Sequence, residues 1–197
     1  AGISELPAAM ETVLSRRDVI GEAARQFCPS RRYWAMVGNG PNRIAAQEVR
    51  VKLSELCYKS IAADSTEDKK HIDLSSEPLI FVCAAGLTGS TADDVAKEVA
   101  IFRAHKAAPI VVADEDQRRF TSALAVLPVP VVDPRLGFIL STMVGHLFGY
   151  EAALAIDAQA LPLREARSAI EQAIHQKTNA GEDNAAIIAI SAEIETF

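Results

Sequence analysis

Cysteine is scarce in this chain. Cys28, Cys57 and Cys83 form an odd, scattered set with no Cys-x-x-Cys pair. That argues against a disulfide framework or a cysteine-built metal site and fits a reducing, cytoplasmic setting. Positive charge is also short: 20 Lys and Arg stand against 26 Asp and Glu, a net charge of −6 with no basic block. A chain of that balance is poorly suited to holding nucleic acid or anionic lipid, so neither is expected as a partner. No run of about 18 uninterrupted apolar residues occurs, and no membrane-spanning helix is expected. The opening Ala1-Gly2-Ile3-Ser4-Glu5 has neither a signal-peptide pattern nor a Met. A segment of a longer chain would begin this way, as would a processed terminus or a tag remnant. Internal repeats and low-complexity blocks are missing too. What is present is apolar: 49% of 197 residues are hydrophobic and 23% are charged. This excludes general disorder and suffices for one core, or one domain with an appendage.

Apolar residues recur at helical spacing over 7–27, with Pro7 suited to a first turn and Ser15 or Asp18 able to cap a second helix. Tyr33 to Val37 is a short apolar run that enters Gly38-Asn39-Gly40-Pro41, the pattern of a buried strand and tight turn. A helix is expected from Asn42 to about Ala63. The polar stretch 64–77 reads as a loop. Leu79 to Ala84 is the clearest strand, followed by a turn and a helix from about Ala92 to Lys106 that Ser90 or Thr91 can cap. Pro109 to Ala113 is another strand. Pro128 and Pro130 confine 125–132 to an edge strand or an extended segment. A strongly apolar helix is expected from Leu136 to Ile156, and Pro162 starts another that runs to about Lys177. This strand–helix alternation predicts an α/β fold, a parallel sheet flanked by helices. The tail, 178–197, has four acidic residues and no Lys or Arg.

Three groups of residues could carry chemistry. Glu48, Lys52 and Glu55 lie at i, i+4 and i+7 and share one helix face. Two carboxylates around one ammonium can work as an acid/base set, with Lys52 keeping one of them ionised. The same spacing also describes an ordinary solvated ladder of ion pairs. His71 follows Glu67-Asp68-Lys69-Lys70 and could shuttle a proton, or simply be an exposed loop histidine. His146, among Met143, Val144, Leu147 and Phe148, reads as a core or capping histidine. His105 and His175 fall near helix C-termini and need no further role. Thr88-Gly89-Ser90-Thr91, between a strand and a helix, offers hydroxyls and backbone N–H groups to an anion, or no more than a cap. Gly38-x-Gly40 lacks the third glycine and the acidic partner of a dinucleotide fingerprint, so no such cofactor is expected, and no metal.

Together, Gly38-Asn39-Gly40, Glu48 to Tyr58 (EVRVKLSELCY) and Lys70-His71 resemble the second sugar-isomerase (SIS) domain of the glutamine–fructose-6-phosphate aminotransferase family. That family shows Gly-Arg-Gly after its strand, a helix reading E-G-A-L-K-L-K-E-I-S-Y, and a loop reading G-E-L-K-H-G-P. The Glu, Lys, Glu and Tyr spacings coincide without a gap, as does the interval from Tyr58 to His71. Leu6-Pro7 fits the family's interdomain helix, and Pro162 to Ser168 (PLREARS) resembles P-R-N-L-A-K-S. The likeness spans about residues 4–170.

The resemblance implies a three-layer, flavodoxin-like SIS fold. It implies a helical linker over 1–30, the SIS domain over 31–177, and a C-terminal tail that begins another element or is cut short. It assigns Glu55 to moving a proton between C1 and C2 of the opened sugar through a cis-enediolate. Lys52 supports Glu55, with Glu48 behind it. His71 opens the sugar ring in a neighbouring subunit's site, which implies a homodimer. Arg167 stands where the family has a carbonyl-engaging lysine, and arginine binds an oxyanion without readily forming a Schiff base. Asn39 replaces the turn arginine, and Ile72-Asp73 follow the histidine in place of Gly-Pro. Thr88 to Asp94 (TGSTADD) resembles the phosphate loop S-G-E-T-A-D-T of many SIS domains. That makes Thr88, Ser90 and Thr91, with Gly38 and Asn39, the expected contacts to a sugar phosphate or nucleotide sugar. The implied reaction, fructose 6-phosphate to glucosamine 6-phosphate, also needs a glutaminase domain and a first SIS domain. This piece alone is expected to be inactive. A non-catalytic sugar-phosphate sensor and a purely structural dimerisation domain are the competing readings.

Overall fold

The computed structural model describes residues 2–71 and 74–180. The chain divides into two compact units, 1–155 and 156–197. In the first, β1 (Trp34–Gly38), β2 (Ala62–Asp64), β3 (Leu79–Cys83), β4 (Ala108–Asp114) and β5 (Ala125–Val129) form one sheet in the order β2-β1-β3-β4-β5. Every pairing is parallel. Parallel strands covered on both faces read as unbroken apolar runs, and β1, β3 and β4 are buried at every position.

Helices α1 (Gly2–Ser15), α2 (Arg17–Phe27), α3 (Pro41–Cys57), α4 (Thr66–Lys69), α5 (Gly89–Ala104) and α6 (Gly137–Ala180) complete the described chain. On one face, Val37, Ile80, Val82 and Val111 meet Val95, Val99 and Phe102 of α5. On the other, Phe81 meets Phe148 of α6, ring centres 5.0 Å apart. Residues Leu140, Val144, Phe148 and Ala152 are the buried stripe of α6, one every four residues. That helix lies close against α3: a Cβ on Gly145 would overlap the Val49 side chain, and one on Gly149 would overlap Leu53. The linker expected over 1–30 forms α1 and α2, which fall in the same compact unit as the sheet. Glu151 of α6 ties α2 down, accepting from Arg17 at 2.8 Å and Arg25 at 3.2 Å.

Several boundaries differ from those expected. α1 begins at Gly2, so Pro7 lies inside it, and neither Ser15 nor Asp18 caps α2; Arg16 is at its N-cap without a side-chain bond. Residues 64–77 are not one loop: they hold the end of β2, α4 and a 3-10 turn, Leu74–Ser76. α3 stops at Cys57 because Tyr58 takes a left-handed φ of 52°, which frees the chain for β2. α5 starts at Gly89 with Thr88 at its N-cap, so Ser90 and Thr91 sit in its first turn rather than capping it. Pro162 does not begin a helix; α6 runs through it. A proline removes one bond, here to Ala158, and the good helix formers on both sides continue the turn. By length and composition alone α6 is apolar enough to cross a bilayer, a property that core helices share, although it holds no uninterrupted apolar run of that length. Within the first unit its apolar stripe is filled by the sheet. The tail from 181 on lies outside the described residues.

Candidate functional site

The sheet order reverses between β1 and β3, whose connections leave on opposite faces. Ligands of open α/β sheets bind at the carboxyl ends of strands at such a point. Gly38 ends β1 with its α-carbon under the Asn42 carbonyl, where any side chain would collide. Gly40 follows at φ +55°, leading into Pro41 at the first position of α3. After β3 the chain turns through Gly86 at φ +77°, whose N–H donates to Asp114 Oδ1 at 2.9 Å. Burial pushes the Asp114 carboxyl above its usual range, against that bond. Asn42, buried beneath the turn, donates to the Ala85 carbonyl at 2.8 Å and accepts from Ser141 Oγ at 2.9 Å. One amide thus joins α3, the β3–α5 turn and α6. Asn42→Ala leaves the Ser141 hydroxyl and the Ala85 carbonyl without this partner. The expected cost is about 1–3 kcal/mol of unfolding free energy, read from urea denaturation. An unchanged midpoint would remove this role.

The candidate residues fall into four groups. Glu48, Lys52 and Glu55 share the exposed face of α3. Lys52 Nζ lies 3.0 Å from Glu55 Oε2, and that bond, with the charge of Glu55, raises the ammonium's pKa; Glu48 adds a smaller effect. Glu48 is turned the other way, its Oε1 3.2 Å from His146 Nε2 on α6. His146 is therefore not a core residue as expected, since 41% of its side chain is exposed. It is a member of this face that sequence reasoning missed. The available signal was Gly145-x-x-x-Gly149, the spacing that lets two helices approach closely.

His71 closes the α4 segment, exposed, with Nε2 3.5 Å from Glu67 Oε1. Ser65 caps that segment, accepting from the Asp68 N–H at 3.0 Å, a Ser-x-x-Asp signal also missed. Asn39 has both ends of its amide engaged by Thr66, at 2.7 and 3.2 Å, so it fastens α4 to the end of β1. Lys70, 2.6 Å away, is the first cause holding the Glu67 carboxyl below its usual range. Glu98 of α5, pushed up by burial, stands behind it. Thr88, Ser90 and Thr91 form an exposed cluster at the start of α5. Arg167 belongs to the second unit, where its Nε donates to Glu171 at 2.8 Å.

A cavity of about 500 Å³ opens beyond β4 and β5, lined by Arg16, Asp114, Arg118 and Phe120 among others. Another, of about 670 Å³, runs between α3 and β2, with Glu48 on its wall. Glu55 lines neither. No group of three His, Cys, Asp or Glu able to hold a metal occurs among the described residues.

The thiols offer no nucleophile. All three are buried. Burial raises Cys57 to about 11 and Cys28 and Cys83 further. Iodoacetamide near neutral pH is expected to leave the folded protein unlabelled and to label three sites in denaturant. Fast labelling of the native chain would contradict that burial.

No protein-family model matches the sequence. Among curated proteins it is 30% identical over 158 residues to the glutamine–fructose-6-phosphate aminotransferase of Methanosarcina acetivorans, covering 78% of this chain and 25% of that one. The chain spans about a quarter of the length of the curated relatives it matches, their C-terminal part. Among solved structures, the C-terminal domain of the Francisella tularensis glucosamine-fructose-6-phosphate aminotransferase superposes with a TM-score of 0.68 at 18% identity, covering 78% of this chain and 43% of that one. The tagatose-6-phosphate ketose/aldose isomerase of Escherichia coli gives 0.61 at 19% identity, covering 75% and 42%.

Proposed function

We propose, from the premise that this chain has the fold of a SIS sugar-isomerase domain and the sequence likeness of the aminotransferases' C-terminal part, that it is the isomerase domain of such an enzyme. The reaction is the conversion of fructose 6-phosphate to glucosamine 6-phosphate. The observation that carries the reading is the Lys52–Glu55 pair, 3.0 Å apart on a helix that matches the family motif. Glu55 takes the proton from C1 of the opened sugar. The electrons left behind form a cis-enediolate, and the same carboxyl returns the proton to C2 to give the aldose phosphate. For glucosamine 6-phosphate the amine first replaces the C2 oxygen as an imine with loss of water, and the same transfer then passes through a cis-enolamine. Lys52 holds Glu55 in place through their 3.0 Å bond, and Glu48 lies one turn behind the lysine. His71, on its own capped segment, assists ring opening. Gly38 and Asn39 shape the turn beside the sugar phosphate, and Thr88, Ser90 and Thr91 receive its oxygens at the start of α5.

Glu55 is 59% exposed, whereas proton transfer without exchange into solvent needs a dry site. The reading therefore calls for a cover supplied by a preceding SIS domain or by a second copy in a homodimer, with a glutaminase domain delivering the amine. It requires neither metal nor cofactor and suits a cytoplasmic setting, where three free thiols persist. The test is the fate of deuterium placed at C1 of fructose 6-phosphate and followed through turnover by the full-length protein. Label carried to C2 of the product is expected, and product formed with no label at C2 would remove the reading.

A second reading, a non-catalytic sugar-phosphate sensor, is favoured by the exposed hydroxyl cluster at the start of α5. Under it, calorimetry detects glucosamine 6-phosphate binding while fructose 6-phosphate is not turned over. The Thr88→Ala/Thr91→Ala variant then loses that binding by tenfold or more.

A further inference from the structure

We infer that His146 is a positioning residue: by holding Glu48 it directs Lys52 to Glu55. The inference rests on the proposed role of Glu55 and adds a residue to that site. On a helix, a Glu four residues before a Lys is the favoured ion-pair arrangement. Glu48 and Lys52 have that spacing and sense. Yet Lys52 bonds forward to Glu55, three residues on, at 3.0 Å. The reason lies across the helix interface. Glu48 Oε1 is 3.2 Å from His146 Nε2, which donates when its proton is on that nitrogen. With Glu48 turned toward α6, the ammonium is left to the carboxylate that would do the chemistry.

Two glycines fix the partner's position. Gly145 and Gly149 bring α6 down onto Val49 and Leu53, the residues that alternate along α3 with the Glu48, Lys52 and Glu55 face. His146 projects from this seam. Only 41% of its side chain is exposed, and its reach to Glu48 follows from the helix contact rather than from a mobile loop.

The experiment is performed on the full chain. Through-hydrogen-bond couplings from Lys52 Nζ identify the carboxyl carbon to which it is bonded. In the unaltered protein the coupling is expected to Glu55. In His146→Ala it is expected to move in large part to Glu48. His146→Gln, whose amide can still donate to Glu48, is expected to keep it on Glu55. In isomerisation assays of the full-length enzyme, His146→Ala lowers kcat by about 1.4- to 2.3-fold with KM unchanged, and His146→Gln restores it. A Lys52 coupling that stays on Glu55 in His146→Ala would overturn the inference, as would a loss that Gln fails to rescue. If Glu55→Gln leaves turnover intact, the reading of Glu55 as the base falls, whereas the coupling measurement still tests the contact. If Glu55→Gln abolishes turnover and His146→Ala changes neither coupling nor kcat, only the role of His146 falls.

Discussion

Glu55→Gln is expected to lower the isomerisation rate of the full-length enzyme by about 10²–10⁴-fold, the usual scale for a group that carries the transferred proton. The substitution keeps the length of the side chain and its place on α3. Its amide oxygen can still accept from Lys52, now 3.0 Å from the carboxylate. What disappears is the capacity to take a proton from carbon and give it back. The side chain is 59% exposed and fills no part of the core, so the melting temperature is expected to stay where it was. A fall in kcat with KM and melting temperature unchanged separates lost chemistry from lost folding. Unaltered turnover would mean that another group moves the proton, and the motif match would then describe an inherited helix with no such role.

The second large effect is on stability. Gly145→Ala and Gly149→Ala each place a methyl group where α3 already is. At 145 the new carbon overlaps both methyls of Val49; at 149 it comes within 2.5 Å of Leu53 Cδ1. Val49 and Leu53 are wholly buried, and Val49 is stiff about χ1, so neither has room to retreat. Overpacking of this kind costs about 1–3 kcal/mol. Alanine's better helix propensity returns up to about 1 kcal/mol at each site. With that amount returned at both sites, the double variant is expected to lose up to about 4 kcal/mol, read as a lower urea midpoint. A raised midpoint would mean that α6 seats less closely on α3 than described. The same variant should also separate His146 from Glu48, so its effect on Lys52 pairing resembles that of His146→Ala.

The sheet was legible in the sequence because parallel strands buried on both faces leave unbroken apolar runs, as Leu79–Cys83 does. The edge placement of β5 followed from Pro128. β2 was not legible: three residues cannot display an alternation, and what creates the strand is the left-handed turn at Tyr58, a residue type that seldom marks one. The course of α6 through Pro162 escaped because proline is a strong local stop signal, and here the flanking residues override it. In the candidate site, the spacing of Glu48, Lys52 and Glu55 put them on one face without help from the structure. Which carboxylate Lys52 chooses could not be read from that spacing. It is decided by a histidine about a hundred positions away, brought close by two glycines that look, in sequence, like weak points of a helix.

The outer strand β5 has one more consequence. Pro128 faces away from β4 and brings no N–H to the free edge. Its carbonyl already accepts from Arg16 Nη1 at 3.0 Å. At the opposite margin β2 offers only three residues. A sheet finished in this way gives an incoming strand little to pair with, which also lowers the tendency to grow into fibrous aggregates. Any lasting association of this domain, with a copy or with a neighbouring domain, then has to be made by helices and loops. Substitutions that break it should be sought on α3 and α6, not along the strands.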